Sequence, residues 1–325
     1  MSERNGYQSP AFLDSGRPDV PDLVVPRGVV PFYLPDRPVR GRLVRLGALA
    51  DALLTRHDNP EPVTRIAGQA LATVAALATA LKFRGSFSLQ AKGDGPLGML
   101  LADCTEAGAL RGYARAAPER LAELLAVDPA PHAGQLLGKG YLAFTVDQGP
   151  DTERHQGIVA LGGETLAEMA LHYFDTSEQL RTTIRLACAP TPAGWRASAL
   201  VLERIAGAGG VAPELDAEAQ EEAWRTATIL AGTVTDEELL DDAIAPEALL
   251  FRLFGTEGVA SDLPRALAYG CRCSRQRLAG ILETFGGDDL DHMAIEGRIT
   301  MTCEFCNMEF GFDRTTVRGT GGAAA

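Results

Sequence analysis

Four cysteines near the end of the chain constrain it most. Cys271 and Cys273 flank Arg272; after 29 further residues, Cys303 and Cys306 flank Glu304-Phe305. Two close pairs separated by a mini-domain's length of chain can bring four thiolates onto one tetrahedral metal. The first pair has one intervening residue instead of the usual two, a cramped chelate whose cysteines can also leave the metal as a disulfide. The pattern points toward a site built to come apart. The other two cysteines, Cys104 and Cys188, fall singly in strand-like runs and read as buried small hydrophobes.

The remainder of the chain must say what such a site would control. With 325 residues, 46% of them hydrophobic, it can bury a substantial core and form two or three domains. A formal charge of −13 matches phosphate backbones poorly, so nucleic acid is not expected as the main partner. The start, Met1 to Gly6, has no apolar signal core, and a cytoplasmic protein is expected. In that reducing compartment, paired cysteines favour metal binding or redox chemistry over structural disulfides. The alanine- and leucine-rich stretch Ile66 to Leu81 contains Gln69, Thr73 and Thr79. It is shorter than the roughly 20 apolar residues of a membrane span, so it reads as a buried helix.

The fold class expected is α+β. Residues 1–38, with seven prolines, read as an extended or disordered arm, packed at most where Val29, Val30, Phe32 and Tyr33 occur. Residues 39–205 read as a mixed α/β core domain: a strand from Val39, helices over Ala48–Arg56 and Pro62–Leu81, then clustered strands with one helix at Thr165–Phe174. Residues 206–265 form an acidic helical linker after the joint Ala206 to Gly210. From Glu214 to Glu247 there are eleven acids against one base, Arg225, a density that makes helices marginal. Leu249 to Phe254 is the most apolar stretch of that linker, a helix face that would be sticky if uncovered. Residues 266–314 form a small cysteine domain: a helix capped by Ser274, a shorter helix at Asp288–Ala294, and a hairpin whose turn carries Cys303 and Cys306. So small a unit needs a metal to fold. Residues 315–325 read as a disordered tail.

Other motifs fail on context. Gly93 to Gly98 matches the dinucleotide fingerprint, but a strand follows instead of a helix and Pro96 sits inside, so a hairpin turn is expected. Gly134 to Lys139 is one residue short of a P-loop and is followed by Gly140, so no nucleotide site is expected. The five histidines, His57, His132, His155, His172 and His292, are scattered and suggest no catalytic arrangement. For the quartet itself, four sulfurs favour zinc, with a rubredoxin-like iron as the minor option. An inert zinc ribbon and a redox switch both remain open on spacing. A thioredoxin-like pair is disfavoured, because a strand-like run follows Cys306.

Residues through most of the chain resemble the 33 kDa chaperonin family, the redox-regulated heat-shock holdases of bacteria. The resemblance runs from about Val39 to about Phe312. It includes Arg40 to Val44, Leu81 to Phe83, Gly93 to Pro96, Gly138 to Tyr141, Gln156 to Val159, Ser177 to Leu180 and the C-x-C plus C-x-x-C quartet. The proline-rich arm, and His155 where tyrosine is expected, depart from it. The resemblance implies a non-enzymatic holdase that works without ATP. It further implies that one zinc ion sits on Cys271, Cys273, Cys303 and Cys306 in the reduced form, and that oxidation yields the disulfides Cys271–Cys273 and Cys303–Cys306. Zinc then leaves, the linker unfolds, unfolding proteins are bound, and the active form is a homodimer. A constitutive zinc-ribbon interaction module is the alternative.

Overall fold

The computed structural model describes residues 22–79, 85–148, 155–205 and 216–317. The chain opens with the hairpin β1 (Val24–Leu34) and β2 (Val39–Arg45), then α1 (Ala48–Leu54) and α2 (Glu61–Ala78). A meander follows, β3 (Ser86–Gly93), β4 (Leu97–Thr105) and β5 (Ala109–Ala116), then the helices α3 (Pro118–Val127) and α4 (Ala133–Leu137). Next come β6 (Gly140–Asp147), β7 (His155–Ala160), α5 (Leu166–Tyr173), β8 (Thr182–Thr191) and β9 (Gly194–Arg204). The linker contains α6 (Ala217–Gly232), α7 (Asp236–Leu240) and α8 (Pro246–Phe254), and ends in β10 (Ala260–Ser261) and β11 (Arg265–Tyr269). The cysteine unit is α9 (Arg275–Leu282), α10 (Gly287–Met293) and the hairpin β12 (Arg298–Thr302) and β13 (Glu309–Asp313). The expected α+β class holds.

One sheet runs β7-β6-β3-β4-β5-β11-β1-β2-β9-β8, with β10 paired to β1. Its two-residue alternation sorts apolar side chains to two faces. Val44, Ala197, Ala199 and Val201 join α1 and α2 in one buried cluster. Val30, Phe32, Leu34, Leu43, Leu200 and Leu202 join Trp224, Leu239, Leu250 and Phe254 of the linker helices in another. The acidic linker is thus a cover on half of the sheet.

Three domain boundaries need correction. Residues 24–34 of the expected arm are β1, which pairs with β2 from Val29↔Val44 to Leu34↔Val39. Its prolines fall where the ladder tolerates them: Pro26 lies in the register shift between Val25 and Val29, and the Pro31 carbonyl accepts from Asp262 N at 2.9 Å. The cysteine unit does not begin at 266, because β11 belongs to the core sheet, antiparallel to β1 and parallel to β5. Residues 315–317, read as the start of a tail, close on the unit: Val317 is buried and its carbonyl accepts from Arg314. Residues 1–21, the Leu81 to Phe83 motif, the joint at 206–210 and residues 318–325 lie outside the described residues.

Gly93 to Gly98 is the β3–β4 turn, where Cβ atoms on Gly93 or Gly95 would collide with backbone at Leu136 and Leu137. No helix of the described residues is long and apolar enough to cross a membrane.

Candidate metal centre

The first cysteine pair leaves the sheet on backbone that only glycine fits. Gly270 N donates to Leu110 O at 2.8 Å, and a Cβ there would stand 2.4 Å from the Ala109 carbonyl carbon. Cys271 and Cys273 follow, and the Ser274 hydroxyl then caps α9 by accepting from Arg277 N at 3.2 Å. The second pair occupies the β12–β13 turn. Cys303 N donates to Met308 O at 2.9 Å, Asn307 N donates to Cys303 O at 2.8 Å, and Asn307 takes left-handed backbone with φ 54°. Asparagine enters that region more readily than most side chains.

The four sulfurs converge as the spacing predicts. Sγ separations are 3.4 Å for Cys271–Cys273, 3.6 Å for Cys271–Cys303 and 3.4 Å for Cys273–Cys306, and all four atoms lie within 4.8 Å of one another. All are buried free thiols. A tetrahedron with Zn–S bonds of about 2.3 Å has edges of about 3.8 Å, close to these separations, and an all-sulfur donor set suits zinc. Hydrogen bonds from Cys271 and Cys306 pull Cys303 far down, while burial and then the charge of Cys271 push Cys273 up to about 12. A cation is what lets all four carry charge together. The quartet could hold a metal ion. Cys104 and Cys188 lie outside it; burial pushes both thiols up, Cys188 to about 12, as for inert core cysteines.

The unit's own core is small: Leu278, Leu282, Leu290, Ile299, Phe310 and Phe312. Arg314 ties its ends together, donating to Asp291 at 2.7 Å and to the Gly287 carbonyl at 3.1 Å. Phe305, inside the second pair, turns instead toward the core domain. Its ring meets Tyr113 edge-on with centroids 5.1 Å apart, and the Arg111 guanidinium lies 4.0 Å above it. Its carbonyl lies 3.4 Å from His57 Nε2. Beside it Arg272 pairs with Asp103, which Arg111 also holds at 3.1 Å, and Arg115 reaches Glu304 at 3.4 Å.

Local sequence patterns do not mark this contact. His57 is one of five scattered histidines, and Arg111, Tyr113 and Arg115 are alternate residues of a strand-like run. The available signal was Phe305 itself, an aromatic inside a metal turn. His292 lies on α10 and is not one of the clustered groups. His132 caps α4 by accepting from Gln135 N, which gives it a structural role.

Comparison with known proteins decides the family. The Hsp33 protein family profile matches residues 28–313. The chain belongs to the Hsp33 family. A 33 kDa chaperonin of Caulobacter vibrioides is 40% identical over 287 residues, 87% of this chain and 93% of that protein. One from Pseudomonas fluorescens is 35% identical over 289 residues, 88% of this chain and 90% of that protein. The crystal structure of the Thermotoga maritima 33 kDa chaperonin, a heat shock protein 33 homolog, superposes with TM-score 0.71 at 21% identity, covering 90% of this chain and 96% of that one. That likeness is one of fold. The Hsp33 profile begins within β1, so most of the strand read as an arm lies inside the matched span.

Proposed function

We propose that the chain is a redox-regulated, ATP-independent holdase of the cytoplasm. Reduced, its quartet holds one zinc ion and its linker stays closed; oxidised, it opens and binds unfolding proteins. One observation carries this reading: the apolar face of β1, β2 and β9 is covered by helices whose chain runs through β11 straight into the buried thiol cluster.

Zinc on Cys271, Cys273, Cys303 and Cys306 would supply the positive charge the thiolates need and the folding free energy a unit this small lacks. The other steps belong to the chain's own residues. A peroxide oxidises two thiolates to one disulfide: the S–S bond forms, the O–O bond breaks, and the two oxygens leave as two waters after taking up two protons from solvent; a second peroxide does the same for the other pair. The family resemblance supports Cys271–Cys273 and Cys303–Cys306 as the pairs. Distance alone does not choose them, since Cys273 lies 3.4 Å from both Cys271 and Cys306. Bridged within pairs, the cysteines no longer tie the start of α9 to the β12–β13 turn. β11 then loses its anchor, and β1, its partner, carries Val30, Phe32 and Leu34 under the linker. The uncovered face is an apolar patch of the kind that binds other chains. In the oxidised form a homodimer is expected.

The test follows metal and client together. Peroxide should release one zinc per chain to a chromogenic chelator, in step with suppressed light scattering from a heat-unfolded client. Zinc-loaded reduced protein should not suppress it. Retained metal and unchanged linker proteolysis under peroxide would instead leave the constitutive zinc-ribbon module.

A further inference from the structure

We propose that Phe305 is the plug by which the core domain senses the cysteine site, and that Arg111, Tyr113 and His57 form its socket. The inference rests on the redox-switch reading and names the contact that transmits it.

The socket is assembled by strand geometry. Arg111, Tyr113 and Arg115 alternate along β5 and so project from one face, while Leu110, just before them, and Ala114, between Tyr113 and Arg115, point into the buried cluster with α2. β4 adds Asp103, in register opposite Arg111. Beyond Leu110, β5 has no strand partner on its β11 side among the described residues, where β11 pairs through Ala268↔Ala109 and Tyr269↔Leu110. The chain that would continue β11 turns away at Gly270 to become the first cysteine pair.

Both cysteine pairs are thus tied to β4–β5 by the residue or residues between their cysteines. Arg272 binds Asp103; Glu304 binds Arg115; Phe305 fills the space between Arg111 and Tyr113. Neither Glu304 nor Phe305 is needed to present a thiol. The Phe305 ring has its place only while the turn from Cys303 to Cys306 keeps its shape. Any rearrangement of those thiols withdraws the ring and leaves Arg111 and Tyr113 without it. Cation–π and edge-to-face contacts are individually modest, which suits a plug that must let go.

The test uses the full-length, reduced, zinc-loaded chain. Phe305→Ala keeps all four thiols, and Tyr113→Ala and Arg111→Ala alter only the core side. Each should still bind one zinc. Amide exchange in α6–α8 should nevertheless rise about tenfold in reducing buffer, the size of a lost ring-pair or cation–π contact. Phe305→Tyr should restore slow exchange. If Phe305→Ala loses metal, the two core-side variants decide. Metal-loaded variants whose linker amides exchange as slowly as wild type would overturn the inference. Oxidised wild type is the control that separates the two ideas. If its linker stays protected, the switch reading fails whatever the variants do; if it opens while the metal-loaded variants stay closed, only the plug fails.

Discussion

The linker cover and the cysteine unit rest on the same sheet and are held there by different forces. The cover has an apolar centre: Phe254 stacks on Phe32 with centroids 5.4 Å apart, among Trp224, Leu249, Leu250 and Leu253. Around it the core's arginines meet the linker's acids. Arg196 pairs with Asp242 at 2.6 Å, Arg204 with Glu221 at 2.8 Å, Arg181 also with Glu221, and Arg27 with Glu247. Arg45 donates to the carbonyls of Glu238 and Ile244. The density of acid along the linker is in part a match to the surface beneath it. The cysteine unit, in contrast, meets β4 and β5 through one ring and a few charged groups. A broad apolar cover beside a lightly docked trigger is a sound division: the trigger can respond to small changes, while the cover keeps the sheet's apolar face from water.

The largest effect should come from the trigger. Cys306→Ser removes one of four sulfurs, and structural zinc contributes about 10 kcal/mol or more to units of this size. The cysteine unit should lose its protease resistance in reducing buffer, and cleavage should extend into α6–α8. A unit that stays resistant without bound metal would place its stability in its own apolar core and erase the contrast.

The cover can be broken from its own side. Phe254 is fully buried, whereas Phe251, on the same helix, is 70% exposed. Phe254→Ala should cost the closed linker about 3–5 kcal/mol, opening it with metal still bound and giving client binding without oxidant. Phe251→Ala should leave both linker exchange and metal content unchanged. Equal behaviour of the two variants would mean that apolar burial does not hold the cover.

Much of this was legible in the sequence, and the parts that were not have physical reasons. Alternation and turn residues located β2–β9, and the cysteine spacing located the quartet, because both signals are local. The strand β1 was hidden by Pro26 and Pro31, whose harmlessness depends on a register shift that only pairing reveals. β11 was hidden because Arg265–Tyr269 is five residues long and earns its place through two non-local partners, β1 and β5. The helix α3 carries only a weak local signal, Pro118 at a favourable first-turn position. The pairing of linker acids with Arg27, Arg181, Arg196 and Arg204 was out of reach, since charge counting along a chain does not show what lies across from it.

The smallest effect tests that charge match. Glu221 lies on α6 and receives hydrogen bonds from Arg181 and Arg204 of the core. The Arg181 hydrogen bond outweighs the opposing desolvation and, with the charges of both guanidiniums and the Arg204 hydrogen bond, holds its carboxyl below the ordinary value of 4.5. A carboxyl depressed in the folded state stabilises the closed linker fully above that ordinary value, and the contribution fades as pH falls through the lower folded one. Protonation removes the acceptor charge, so the direction is toward opening in acid. Acid also protonates thiolates, which would release a metal, so the comparison must be internal. In reduced protein, Glu221→Gln should exchange its α6 amides slightly faster than wild type at neutral pH, and the gap should close on acidification. Exposed pairs of this kind contribute little each, so the cover as a whole should stay shut in the variant. A gap that persists unchanged in acid would show that Glu221 acts through its shape and not its charge, and the arginine rim would then be a consequence of docking, not one of its causes.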